Sequence, residues 1–124
     1  MVATRLLLVD DDSGVLDVQK RILERESYEV DISQSGSKAL RMLKRKNYDL
    51  VITDLVMPEF DGIELIISLQ RSAASPKVVA TSGGVRGGSV SCLKAAKLCG
   101  ATRTIKKPFS RRELLDTVQD ALQS

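Results

Sequence analysis

The chain has no histidine and no tryptophan, and only two phenylalanines and two tyrosines among its 124 residues. Without histidine, a mixed Cys/His zinc site cannot be completed. So few aromatics leave almost no platform on which bases could stack, which argues against direct nucleic-acid binding. Cysteine is equally scarce. Cys92 and Cys99 stand seven residues apart in a helical pattern, about 10 Å along the axis. That exceeds the roughly 7 Å Cα separation a disulfide tolerates, so the two read as reduced packing residues. Long apolar runs are absent as well: Leu6 to Val9 is cut off by Asp10, Asp11 and Asp12. This is far too short for a membrane span or a secretory segment. The expectation is a cytoplasmic protein with no membrane partner.

What is present suits one globular domain spanning residues 1–124. Hydrophobic residues make up 43% and charged residues 28% of the 13.6 kDa chain, too apolar for disorder. A fold of this size buries roughly 65–70% of its unfolded surface and needs no staple. Nineteen Lys and Arg against 16 Asp and Glu give a net charge of +3. The basic residues gather at Arg41-Lys44-Arg45-Lys46 and across Arg103 to Arg112, where solvated helix surface explains them better than an anionic partner.

Strand and helix patterns alternate along the chain. Leu6-Leu7-Leu8-Val9 and Leu50-Val51-Ile52-Thr53-Asp54 read as strands buried on both faces. Tyr28 to Ile32 alternates with period two and suggests an edge strand. Val78 to Thr81 predicts a fourth strand and Thr102 to Lys106 a fifth. Between them, helical spacing appears over Ser13–Glu26, Gly36–Lys46, from Asp61 onward with Ile63, Ile66 and Ile67 as the inner stripe, over Val90–Leu98, and from Ser110. Leu55 to Phe60 reads as a loop. Asp12 or Ser13 would cap the first helix, Asp61 with Glu64 and Ser110 with Glu113 form capping boxes, and Gly100 stops the fourth helix. Five β-α units in series predict an α/β fold of three layers, a doubly wound five-stranded parallel sheet with helices on both faces.

Ligands in such folds bind beyond the carboxyl ends of the strands. Those ends carry Asp10, Asp11 and Asp12, then Asp54, then Thr81, Ser82 and Gly83, then Lys106 and Lys107. Each alone has a dull explanation, as a cap or an exposed cation. Together, four strands deliver carboxylates, a hydroxyl and an ammonium to one edge. If the first and third strands are neighbours, their ends lie about 4.8 Å apart, and carboxylates that close need a cation or bound protons. An oxygen-only set suits Mg²⁺. Beside a carboxylate nucleophile and a Lys, it is equipment for phosphoryl transfer.

In these motifs the chain resembles the receiver domain of bacterial two-component response regulators. Leu8-Val9-Asp10-Asp11, Ile52-Thr53-Asp54-Leu55-Val56-Met57-Pro58, Asp61-Gly62, Ser82-Gly83 and Lys107-Pro108-Phe109 arrive in family order, across essentially the whole chain. The resemblance implies a flavodoxin-like fold with strand order 2-1-3-4-5 and Asp54 as phosphoacceptor. It implies that Asp11, Asp54 and the backbone carbonyl of Val56 hold Mg²⁺, with Asp10 assisting through water. Lys107 would pair with Asp54 or its phosphoryl group, next to a cis Lys-Pro bond. Either Thr81 or Ser82 could be the switch hydroxyl, and Ser82 is preferred because a small residue follows it.

The implied partners are a sensor histidine kinase or phosphotransfer protein, since this chain has no histidine of its own to donate from, and an unnamed output domain or protein. The family's partner face is the fourth helix, fifth strand and fifth helix, which would also be the face of any homodimer. The chain would not be an enzyme in the ordinary sense, since it accepts a phosphoryl group and slowly hydrolyses its own adduct. An Asp-nucleophile phosphatase would need a carboxylate at the position of Val56, and a phosphorylation-independent module would be expected to have lost Asp54, an acidic-pair residue or Lys107.

Two departures bear on output. Thr104 stands where the family often has an aromatic switch, and Gly83 to Ser89 is longer than usual, which suggests that this loop carries the change instead. It only loosely echoes a phosphate-binding loop, lacking the required Lys before Ser89. A stand-alone regulator, a phosphate shuttle and a receiver cut from a longer protein all stay open.

Overall fold

The computed structural model describes residues 3–57, 60–72, 75–83 and 89–124. The elements in chain order are β1 (Arg5–Val9), α1 (Ser13–Glu24), β2 (Glu29–Ser33), α2 (Gly36–Arg45), β3 (Leu50–Asp54), β4 (Val56–Met57) and β5 (Phe60–Asp61). They continue with α3 (Gly62–Gln70), β6 (Lys77–Gly83), α4 (Ser89–Cys99), β7 (Arg103–Lys107) and α5 (Arg111–Gln123). Five strands form one parallel sheet in the order β2-β1-β3-β6-β7. Numbered by their place among the sheet strands, this is 2-1-3-4-5, the doubly wound order expected from the motifs.

Apolar residues at both parities of the central strands divide between two cores. Leu7, Val9, Val51, Val78 and Ala80 pack with Ala39 of α2, Leu65, Ile66 and Leu69 of α3 and Ala96 of α4. On the other face, Leu6, Leu8, Leu50, Ile52 and Val79 pack with Leu16 and Leu23 of α1 and Leu114, Val118 and Ala121 of α5. β2 is an edge strand, and Val30 is its buried apolar residue.

The helix ends follow local chemistry. Asp12 caps α1 by accepting from the backbone N–H groups of Gly14 at 2.9 Å and Val15 at 3.2 Å. The Ser110–Glu113 capping box of α5 is complete, and Phe109 packs on the cluster that holds Leu114. Gly100, at φ +119°, closes α4. Its N–H donates to Lys97 and that of Ala101 to Ala96, the paired bonds of a Schellman ending.

Several expectations change. The segment expected as a loop after Leu55 holds a short antiparallel pair, β4 with β5, in which Val56 faces Asp61. The fourth sheet strand runs on through Ser82 and Gly83, because those residues still pair with Lys106 and Lys107 of β7. α1 ends at Glu24, before Ser27 adopts a positive φ of 70°. In α3 the buried stripe is Leu65, Ile66 and Leu69, while Ile67 turns outward. Leu65, Ile66 and Ile67 are consecutive and fan out around the helix at 3.6 residues per turn, so all three cannot face one core; Leu65 and Ile66 take it, and Ile63 packs at its border. Cys99 is a free thiol. The side chains of Cys92 and Asp61, and residues 84–88 of the glycine-rich loop, lie outside the described residues.

Candidate functional site

The carboxyl edge of the sheet is assembled by register. Val9 of β1 pairs with Thr53 of β3, and Asp54 pairs with Thr81 of β6, so Asp10 and Asp54 emerge side by side. Asp10 extends the ladder, its N–H donating to the Ser33 carbonyl at 3.1 Å. Carboxylate oxygens of Asp10, Asp11 and Asp54 all lie within 4.8 Å of one another. Asp10 and Asp54 are buried and Asp11 is exposed.

Burial is the main reason the Asp54 carboxyl titrates high, at about 6; the charges of Asp10 and Asp11 push the same way. Lys107 and a backbone hydrogen bond from Val56 pull against them. Lys107, at the end of β7, was expected to pair with Asp54 or its phosphoryl group. Its ammonium forms an ion pair with Oδ2 of Asp54 at 3.8 Å and a closer one, at 2.6 Å, with Oδ2 of Asp10. The other Asp10 oxygen accepts from the Asp12 N–H at 3.0 Å, which fixes the carboxylate and presents Oδ2 to the ammonium. The Lys107–Pro108 peptide is cis.

One ammonium against three carboxylates leaves two uncompensated negative charges on a small, oxygen-only donor set. That arrangement fits a hard divalent cation of the Mg²⁺ type, which accepts few protein carboxylates and keeps much of its water. Asp12 stands apart, engaged as a helix cap.

The two hydroxyl candidates differ in what holds them. Thr81 Oγ1 reaches the Thr53 carbonyl at 3.5 Å. Ser82 Oγ is fully buried and has no hydrogen-bond partner among the described residues. A buried hydroxyl without a partner costs free energy, and such a group at a functional edge invites a ligand.

Three contacts escaped the sequence reading, although two of the residues, Val56 and Gly62, were named in it. The Gln34 side-chain amide donates to the Asp11 carbonyl at 3.3 Å, tying the β2–α2 loop to the acidic turn. No local pattern marks it, since its relevance depends on the β1–β2 register. The Val56 N–H reaches the Asp54 carboxylate while the Val56 side chain is exposed. Gly62 lies so close under β3 that a Cβ there would stand 2.5 Å from the Asp54 carbonyl oxygen and 2.6 Å from the Leu55 Cα. The Asp61-Gly62 dipeptide was the available signal for that approach, and composition alone could not say what it approached.

A parallel sheet of this order with acids, hydroxyls and a lysine on its carboxyl edge defines a receiver-type α/β domain, and comparison places it. Residues 6–119 match the response regulator receiver domain, and the chain belongs to that family, the receivers of two-component systems. It is 34% identical over 120 residues to the transcriptional regulatory protein ResD of Bacillus subtilis, covering 97% of this chain and 48% of ResD. It is 37% identical over 119 residues to the transcriptional regulatory protein GlrR of Escherichia coli, covering 95% of this chain and 26% of GlrR. Thus it spans half or less of those relatives. Among solved structures, a putative response regulator from Chloroflexus aurantiacus superimposes with a TM-score of 0.91 at 27% identity, covering 99% of this chain and 100% of that one. A CheY-like receiver domain from Methanospirillum hungatei gives 0.90 at 30% identity, covering 98% and 95%. No described helix is long and apolar enough to cross a membrane.

Proposed function

We propose that residues 1–124 form one receiver unit that takes a phosphoryl group onto Asp54 from a phosphohistidine of a sensor kinase or phosphotransfer protein. The observation that carries this reading is the joint edge: three carboxylates within 4.8 Å of one another, the Lys107 ammonium against two of them, and the partnerless Ser82 hydroxyl.

Asp11, Asp54 and the Val56 backbone carbonyl would hold Mg²⁺, with Asp10 assisting through water. The bound ion supplies charge neutralisation at the phosphoryl oxygens. An ionised Asp54 oxygen forms the new bond to phosphorus as the donor's P–N bond breaks, and the electron pair leaves on the imidazole. Lys107 lies near enough to both Asp10 and Asp54 to neutralise a phosphoryl oxygen on Asp54. Ser82 donates its hydroxyl hydrogen to another phosphoryl oxygen and so gains the partner it lacks. That preference for Ser82 over Thr81 draws support from the hydrogen bond Thr81 already makes.

The reaction leaves the chain modified, so the domain acts as a switch and not as an enzyme with turnover. Its working compartment is the cytoplasm. The readout surface is α4, β7 and α5, together with the glycine-rich stretch 83–89. The relatives named above are transcriptional regulators, but nucleic-acid contact is not assigned to this domain, which has almost no aromatic surface.

The test is incubation with acetyl phosphate and Mg²⁺, read by intact mass, beside Asp54→Ala. One phosphoryl group is expected on the wild type, none without Mg²⁺ and none on the variant. An unmodified wild type that also fails to bind Mg²⁺ would leave a receiver-shaped interaction module.

A further inference from the structure

Outside the set of acidic side chains, β2 ends the sheet with nothing paired to its outer side among the described residues. The Glu29 N–H donates to the Thr4 carbonyl, and the Ser33 carbonyl accepts from the Asp10 N–H. With the period of two along a strand, the backbone groups of Glu29, Asp31 and Ser33 therefore point inward to β1. Those of Val30 and Ile32 point outward, leaving two donors and two acceptors on the open edge. A groove of about 390 Å³ lies along it, lined by the apolar Val30, Ile32 and Met42 and by the cations Lys20, Arg45 and Lys46.

The charge around this groove is one-sided. From Gly36 to Lys46 the chain carries Lys38, Arg41, Lys44, Arg45 and Lys46 and no acid. Lys20 and Arg45 have no ion-pair partner among the described residues. The one acid lining the groove, Asp31, is already held by the Tyr48 hydroxyl at 2.6 Å and by Lys46 at 3.3 Å. Burial opposes its ionisation, yet those two donors outweigh burial and keep its carboxyl below the ordinary range.

We infer that the β2 edge is a docking site for an extended acidic segment of a partner protein, added as a sixth strand with its carboxylates between Lys20 on α1 and Arg45 on α2. Main-chain bonds to Val30 and Ile32 supply the pairing, and the cations on both flanks supply the selection. A second copy of the chain is disfavoured as occupant, because a two-fold edge-to-edge pairing sets Lys20 against Lys20 and Arg45 against Arg45. Charged residues beside a bare edge are a known guard against such self-association. The inference does not depend on phosphoryl transfer.

The experiment uses the full chain, ¹⁵N-labelled, titrated to about 1 mM with a capped peptide of about seven residues, glutamate-rich around Val-Thr-Val. Saturable shifts and slowed exchange at the Val30 and Ile32 amides are expected. A lysine-rich counterpart should not bind, and N-methylation of alternate peptide amides should abolish binding. Lys20→Glu with Arg45→Glu, both surface changes, should weaken affinity about five-fold or more. Equal binding of the N-methylated peptide would overturn the proposal, since charge alone would then explain it. So would the absence of any saturable shift, or the same amides shifting without peptide as a dimer forms in sedimentation.

Discussion

Ser82 carries a buried hydroxyl without a hydrogen-bond partner among the described residues. Its removal should therefore cost nothing in the resting state: Ser82→Ala is expected to leave stability unchanged or raise it by up to about 1 kcal/mol. The same variant should still accept a phosphoryl group but show little of the wild type's phosphorylation-induced chemical-shift change on α4. Urea unfolding and amide spectra before and after acetyl phosphate check both halves. Thr81→Val, which removes the hydroxyl already bound to Thr53, should lose stability and keep the response.

Asp54 gives a pH signature. Its carboxyl titrates near 6 in the fold against about 3.8 when unperturbed, chiefly because it is buried. The folded state then holds the proton more tightly than the unfolded one. The resulting stabilisation is complete below about pH 4 and is lost as pH rises through about 6. In EDTA, wild-type stability should fall over that window relative to Asp54→Asn, by on the order of 3 kcal/mol. Parallel curves for the two proteins would sink this assignment.

Among the elements, α3 begins where no side chain fits. A Cβ on Gly62 would press on the Asp54 carbonyl and the Leu55 Cα, both backbone and unable to swing aside. Gly62→Ala is expected to cost about 2 kcal/mol or more and to shift the amides of Asp54 and Val56, measured by denaturant unfolding and NMR. Much at this scale was legible in the sequence, because it is written locally. Leu6–Val9 and Leu50–Asp54 announce buried strands by composition, and Ser110 with Glu113 announces a helix start by spacing.

What stayed illegible depends on pairing at a distance. The β4–β5 pair is two residues per strand, below any periodicity. Ile67 looked like core because its neighbours are core, and only the orientation of α3 on the sheet turns it outward. Likewise the preference of Lys107 for Asp10 over Asp54 is decided by the hydrogen bond that Asp12 makes to Asp10. No residue type encodes that choice.

For the whole molecule, three acids against one ammonium make a metal-free receiver that is electrostatically incomplete. Mg²⁺ should raise folding stability by about 1.4 kcal/mol at ten times its dissociation constant, by mass action. Asp11→Asn should lose most of that gain while unfolding normally without the ion. Thermal melts across a Mg²⁺ series, with Ca²⁺ as a control for the tighter octahedral demand of Mg²⁺, measure it. The parallel doubly wound sheet was readable in advance from the alternation of strand and helix patterns, whereas its strand order came only with the resemblance of the motifs. The site followed from it, since the order puts Asp10 and Asp54 on adjacent strands.

The alternation along β6 separates the two sides of the molecule. Val79 belongs to the core under α1 and α5, and Val78 and Ala80 to the core under α2, α3 and α4. By that parity Thr81 turns toward the first layer and Ser82 toward the second. The sheet is in this sense a bulkhead, with a pull on the Ser82 hydroxyl felt on one side of it. The apolar set of α1 and α5 packs on the side of the sheet away from that hydroxyl. The set that includes Leu65 and Ala96 shares a compartment with the hydroxyl and must vary in step with it.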